Sequence, residues 1–142
     1  MLKLVLSIMV LEDCDEDFYT LQDAARLAGL PHSIVRAVSG DECLRLLRNE
    51  SVDYKSLPKL VLLDLHTPGD DGRKALNEIR NDDRLKTLPI IVLSTSNNPI
   101  DLKFCYNNGA NAYHVKPVDH VLHLQALQQI FAYWLGSVSL MV

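Results

Sequence analysis

Apolar and polar positions along this chain fall into alternating blocks. Five short apolar runs are separated by longer stretches with helical spacing. The runs are Leu4–Val10, a weaker one at Ser33–Val38, Lys59–Asp64, Ile90–Ser94 after Pro89, and Ala112–Val115. In the third, Leu60-Val61-Leu62-Leu63 is continuously apolar. Such a run suits a strand covered on both faces, as in a parallel sheet, better than a half-exposed strand.

The intervening stretches predict helices. Asp17–Ala28 places Phe18, Leu21, Ala25 and Ala28 near helical spacing, and Gly29 follows as a stop signal. Ser39 stands three residues before Glu42, a capping-box pattern that opens a helix over Cys43–Asn49. Arg73–Asn81 follows the Asp70-Asp71-Gly72 turn. Asp101–Asn108 follows Asn97-Asn98-Pro99 and ends at Gly109. A long last helix runs from Asp119 to Leu135, and Asn49–Pro58 reads as a polar connector.

Strand and helix alternating five times predict an α/β fold. It is a doubly wound, five-stranded parallel sheet with five helices in a flavodoxin-like three-layer sandwich. The crossovers should be right-handed. The strand order 2-1-3-4-5 belongs to this class, and its sites lie outside the carboxyl ends of the strands.

Composition narrows the possibilities. A chain of 142 residues, 48% hydrophobic, fits one globular domain over residues 1–142 and argues against disorder. With 14 Lys+Arg against 18 Asp+Glu, a net charge of −4 counts against a general phosphate-backbone binder, so no direct nucleic-acid contact is expected. Cys14, Cys43 and Cys105 are odd in number and widely spaced. They suggest reduced thiols in a cytoplasmic protein, not a disulfide framework or a zinc knuckle. The apolar opening, Leu2 to Leu11, is broken by Lys3 and runs into Glu12-Asp13, so it reads as a strand and not as a signal peptide. No stretch approaches the roughly 20 apolar residues of a membrane span.

The predicted strand ends carry the chemistry. Strand one ends in Glu12-Asp13, strand three in Asp64, strand four in Ser94 and strand five in Lys116-Pro117. Alone, each is an ordinary loop or cap residue. Together, in this topology, they converge on one crevice. Clustered carboxylates repel one another, and a divalent cation relieves the repulsion. All-oxygen ligands suit Mg²⁺ or Mn²⁺ over zinc. A carboxylate beside such a cation can accept a phosphoryl group as an acyl phosphate. Lys116 would hold one phosphoryl oxygen and Ser94 another.

These residues resemble the receiver domain of two-component response regulators over essentially the whole chain. The resemblance rests on Glu12-Asp13 and on the stretches LVLLDLHTPGDDG, PIIVLSTS and GANAYHVKP. The spacings match as well: 30 residues from Asp64 to Ser94, 22 more to Lys116, and Gly72 eight past Asp64. The resemblance implies that Asp64 is the phosphoacceptor and that Asp13 binds Mg²⁺ directly. Glu12 would bind it partly through water, and the backbone carbonyl of His66 would complete the ligands. It makes Ser94 the switch hydroxyl, Tyr113 the switch aromatic and Lys116 the phosphate-binding lysine. It also implies a cis bond to Pro117 that aims the lysine inward.

The implied partner is a sensor histidine kinase. GRKAL after Asp71 and the FAYWL ending look similar to stand-alone regulators such as those of cyanobacterial phytochromes, which form homodimers. Only seven residues follow Leu135, so no output domain is expected there. The last helix has two apolar stripes: Leu124, Leu127, Phe131 and Trp134, and Leu122, Ala126, Ile130 and Tyr133. One stripe suffices to pack on a sheet. The second suggests a homodimer through the helix 4, strand 5 and helix 5 face and the Trp134 region; alternatively, Tyr133 and Trp134 fold back over the domain edge. Cys14 reads as a small packing residue, and His114, His120 and His123 as partly exposed histidines and not a metal site. Two other functions remain open. A haloacid-dehalogenase-type hydrolase would need an Asp where His66 stands. A pseudo-receiver binding module would not need Glu12, Asp13, Asp64, Ser94 and Lys116 together.

Overall fold

A computed structural model describes residues 7–49, 57–66 and 71–140. Five parallel strands form one sheet in the order β2-β1-β3-β4-β5. They are β1 (Ser7–Leu11), β2 (Ser33–Ala37), β3 (Leu60–Asp64), β4 (Ile90–Ser94) and β5 (Ala112–Val115). The helices are α1 (Asp15–Leu27), α2 (Gly40–Leu47), α3 (Asp71–Arg80), α4 (Pro99–Asn107) and α5 (His120–Ala132). The fold and strand order are those expected from the periodicity. The start of the predicted first strand, most of the polar connector, and Asp70 of the predicted turn lie outside the described residues.

The continuous apolar runs are explained by the two layers they serve. Alternate residues of each inner strand point to opposite faces. Met9, Leu11, Val61, Leu63, Ile90 and Val92 join a core with α2 and α3. Ile8, Val10, Leu60, Leu62, Ile91 and Leu93 join a second core under α1 and α5. β1, β3 and β4 are buried at every position. The edge strand β2 alternates exposed and half-buried residues until Ala37, which explains its weak apolar signal.

Caps set the helix ends. The Ser39 hydroxyl accepts from the Glu42 N–H at 3.1 Å, while Glu42 Oε1 accepts from the Val38 N–H at 3.1 Å. That is a capping box with its return bond one residue early, and it starts α2 at Gly40. α1 starts two residues before the expected Asp17, with Asp15, Glu16 and Asp17 in its first turn beside the positive end of the helix dipole. α4 is capped by Asn98 and ends before Gly109, whose φ of +89° favours glycine. It buries only Cys105.

The last helix departs from expectation. Its α-helical part stops at Ala132 and passes into a π-helical turn, Tyr133–Ser137. Leu127, Ile130 and Phe131 are buried, and Trp134 and Leu135 pack against the same core. The first stripe is thus used within the domain. The second is split: Ile130 is buried, but Leu122 and Tyr133 are 55% and 58% exposed.

Arg80, at the end of α3, ties down the amino ends of β4 and β5. Its guanidinium donates to the carbonyls of Gly109 (2.8 Å), Lys86 (3.1 Å) and Leu88 (2.7 Å), and to Asn111 Oδ1 (2.9 Å). Asn111 Oδ1 also accepts from the Ile90 N–H at 2.7 Å. Arg80→Met should destabilise the protein by about 1–3 kcal/mol, because carbonyls positioned for a cation lose it. Urea unfolding measures this, and divalent-metal binding at the far end of the sheet should be unchanged.

Candidate functional site at the carboxyl ends of the strands

The ladder brings three strand ends together. Glu12 follows β1 and keeps its N–H on the Ala37 carbonyl at 3.0 Å. Asp64 closes β3. Lys116 follows β5, and its N–H donates to the Ser94 carbonyl at 2.6 Å, extending the β4–β5 pairing by one bond. The side chains of these residues are buried although polar: Glu12 is 3%, Asp64 7%, Ser94 0% and Lys116 8% exposed.

Lys116 sits at the centre. Its ammonium donates to Glu12 Oε1 at 2.7 Å, Asp64 Oδ2 at 2.8 Å and Asp17 Oδ2 at 2.9 Å. The other Asp64 oxygen, Oδ1, accepts from the His66 N–H at 2.9 Å. The expected cis bond to Pro117 is not found, since every described peptide bond is trans. The lysine still points inward, because the bond from its own N–H to Ser94 fixes the end of β5 and the long side chain reaches the acids from there.

Gly72, in the first turn of α3, explains how the acceptor loop closes. A Cβ there would stand 2.5 Å from the Asp64 carbonyl oxygen and 2.9 Å from the Leu65 Cα. Only glycine lets the helix start this close to the end of β3.

The electrostatics divide the acids. Burial, reinforced by Asp64, raises the Glu12 carboxyl from 4.5 to about 8. Burial also pushes Asp64 up, but the Glu12 hydrogen bond, Lys116 and the His66 N–H outweigh it and hold Asp64 below its ordinary value. Burial pushes Lys116 down, but Asp64 and Glu12 outweigh it and raise it. At neutral pH without metal, the proton rests on Glu12 and Asp64 is ionised.

Glu12, Asp17 and Asp64 each offer a carboxylate oxygen, all within 4.8 Å of one another. This all-oxygen donor set fits a hard divalent cation. Asp13, expected as a direct ligand, is exposed and outside that cluster. The cluster includes Asp17, which the sequence did not single out. Its signal was a further acid one helical turn after Asp13. Ser94 and Tyr113, expected as the switch pair, both bond to the backbone of Ser96. The Ser94 hydroxyl accepts from the Ser96 N–H at 3.0 Å, and the half-buried Tyr113 donates its hydroxyl to the Ser96 carbonyl at 2.7 Å. Ser96 Oγ donates to Asp101 Oδ2 at 2.6 Å, and Asp101 also pairs with Arg73. Ser96, Asp101 and Arg73 were not anticipated.

Three smaller expectations change. Cys14 is exposed at the N-cap of α1 and is not a packing residue. His123 is buried at 7% exposure, not partly exposed, and burial lowers its pKa. Trp134 is half-buried on its own domain, as in the fold-back alternative.

This fold and sequence define the class. The chain belongs to the response regulator receiver domain family, which it matches over residues 8–128. It is 33% identical over 129 residues to the probable methanogenesis regulatory protein FilR2 of Methanothrix harundinacea, across 91% of this chain and 83% of that protein. It is 30% identical over 135 residues to the response regulator Rcp1 of Synechocystis sp., across 94% of this chain and 91% of Rcp1. Among solved structures, the phosphorylated cyanobacterial phytochrome response regulator RcpA matches with a TM-score of 0.89 at 34% identity, over 96% of this chain and 99% of RcpA. The Mn²⁺-bound form of Rcp1 matches with a TM-score of 0.88 at 30% identity, with the same 96% and 99% coverage. Receiver domains bind a divalent metal, and the carboxylate cluster lies where this one would hold it. The chain is a signalling domain of a two-component system. Neither the hydrolase nor the binding-module alternative is favoured.

The pH response of the metal-free protein tests the Glu12 assignment. The folded protein keeps a proton on Glu12 that the unfolded chain releases above about pH 4.5. This group's contribution to stability is therefore full below pH 4.5 and is lost as pH rises towards 8. Glu12→Gln should remove that decline. The difference between the two proteins' thermal midpoints, measured in chelator from pH 5 to 8, isolates the group from the histidines; a constant difference would refute the assignment.

Proposed function

We propose that this chain accepts a phosphoryl group on Asp64 from a sensor histidine kinase and signals through its altered surface. The observation that carries this reading is the ionised, buried Asp64 carboxylate beside the Lys116 ammonium. An Asp64 oxygen attacks phosphorus, the phosphorus–nitrogen bond of the donor phosphohistidine breaks with its electron pair going to the ring, and the imidazole, already protonated on its other nitrogen, leaves neutral. The product is an acyl phosphate. Lys116 stays beside the phosphoryl oxygens as a fixed positive charge. Mg²⁺, or Mn²⁺, would be held by Glu12, Asp13, Asp64 and the His66 carbonyl, with Asp17 adding a carboxylate at the inner side. When bound, it neutralises charge on the transferring group.

The new phosphoryl group adds about −1.5 to −2 charges and fresh acceptor oxygens. Ser94 can be drawn toward one of them to donate its hydroxyl, and that movement carries its oxygen away from the Ser96 N–H. Ser96 also seats the Tyr113 hydroxyl, so the change passes to β5 and α4. This is a shift between two populations, not a push. The RcpA match supports a phytochrome-type kinase as the donor. No described helix is long and apolar enough to cross a membrane, which accords with a cytoplasmic site of action.

Incubation with Mg²⁺ and acetyl phosphate should add one phosphoryl mass to the protein, and Asp64→Asn should abolish it. Lys116→Gln should lose most of the labelling rate. Multiple turnover of a small phosphate ester would favour a hydrolase instead. Absence of labelling from both acetyl phosphate and a matching kinase would favour a binding module.

The same reading gives the α4, β5 and α5 face a partner, a second copy of this chain. Val115, Val118, Val121 and Leu122, at the end of β5, in the following loop and at the start of α5, are 45%, 105%, 58% and 55% exposed. Val115 precedes Lys116 and Val118 follows it by two residues, so this exposed apolar stretch is close in sequence to the site whose state it would report. Val118→Asp with Leu122→Asp should convert a dimer to a monomer by sedimentation while leaving Asp64 labelling intact. A monomeric parent at high concentration, both with and without phosphorylation, would refute the dimer.

A further inference from the structure

Arg36 belongs to the edge strand β2, far in sequence from every acid of the site, yet it grips the loop that carries two of them. Its Nε donates to the Glu12 carbonyl at 2.9 Å. Its NH1 pairs with Asp15 at 2.8 Å, and its guanidinium lies 4.6 Å from the Phe18 ring centroid. The Glu12 N–H is already held by the Ala37 carbonyl at 3.0 Å. β2 therefore holds both polar atoms of the Glu12 main chain, one by its backbone and one by Arg36. The same side chain binds the first turn of α1, from which Asp17 reaches Lys116. Its third nitrogen, NH2, is buried without a hydrogen-bond partner. A donor left unsatisfied is costly, so the fork is placed for Glu12 and α1 at the expense of its own hydrogen bonding.

We infer that Arg36 is a positioning residue for the divalent-metal site: it fixes the spacing between Glu12 and the first turn of α1. This rests on the reading of the acidic cluster as a metal site. A fixed donor set binds a cation more tightly than one that must first be ordered. Charge alone makes the opposite demand. A guanidinium next to the acids opposes a divalent cation, so its removal by electrostatics alone would tighten binding. The direction of the effect therefore separates positioning from charge.

The test is Mn²⁺ binding by calorimetry on the full chain, with amide hydrogen exchange of residues 12–17 in the metal-free protein. Arg36→Gln should weaken Mn²⁺ binding roughly tenfold, in the range seen when groups supporting a metal ligand are removed. It should also speed exchange across residues 12–17. Arg36→Lys keeps the charge and a single donor, and should recover part of the loss; it also serves if the Gln variant folds poorly. Asp15→Asn leaves the bond to Glu12 in place and should cost less than Arg36→Gln. Unchanged or tighter Mn²⁺ binding in a folded Arg36→Gln protein would overturn this inference alone. Absence of Mn²⁺ binding by the unaltered protein would overturn the metal-site reading, and this inference with it.

Discussion

One ammonium group among three carboxylates organises this end of the molecule. Lys116 reaches Glu12, Asp17 and Asp64 at 2.7, 2.9 and 2.8 Å. Without it, three acids brought together by the sheet would repel each other in a poorly solvated pocket. With it, and with a proton on Glu12, the cluster holds two carboxylates against one ammonium and carries one net negative charge. A divalent cation in place of that proton would change the local charge by one unit in favour of an incoming phosphoryl group. The four side chains come from three different strand ends and one helix turn.

Ser94 and Tyr113 are joined through a third residue. Ser94 and Tyr113 do not touch through their side chains; each bonds to a different backbone atom of Ser96. The Ser96 hydroxyl then bonds to Asp101 at the start of α4. A single residue thereby connects the hydroxyl at the acceptor, the aromatic on β5 and the first turn of a helix. Hydrogen bonds through Ser96 thus connect Ser94 to both.

Periodicity revealed the alternation of strands and helices and both apolar layers because every inner strand is buried on both sides, as the run at Leu60–Leu63 reports directly, and the sheet order followed from the fold class that this alternation defines. The strand-end rule then pointed to Glu12, Asp64, Ser94 and Lys116. The residues that escaped act through geometry that no linear pattern encodes. Asp17 looked like one of several helix-opening acids. Arg36 sat in the weakest strand signal. Ser96 acts through its backbone, which any residue type possesses, as well as through its hydroxyl. Trp134 packs on its own domain, as in the fold-back alternative, but the widening into a π-helical turn from Tyr133 has no counterpart in an ideal helical wheel.

Helix α4 is fastened unevenly. Its single buried residue, Cys105, lies towards its far end, close to Gly109, which Arg80 holds. Its first turn is held at Asp101 by two polar partners, Ser96 and Arg73. From Pro99 to Cys105 the helix axis measures about 9 Å. One end of α4 is therefore held by apolar burial and the other by polar bonds alone, so exchanging the partners of Asp101 is the way to move exposed Ile100 without unpacking Cys105.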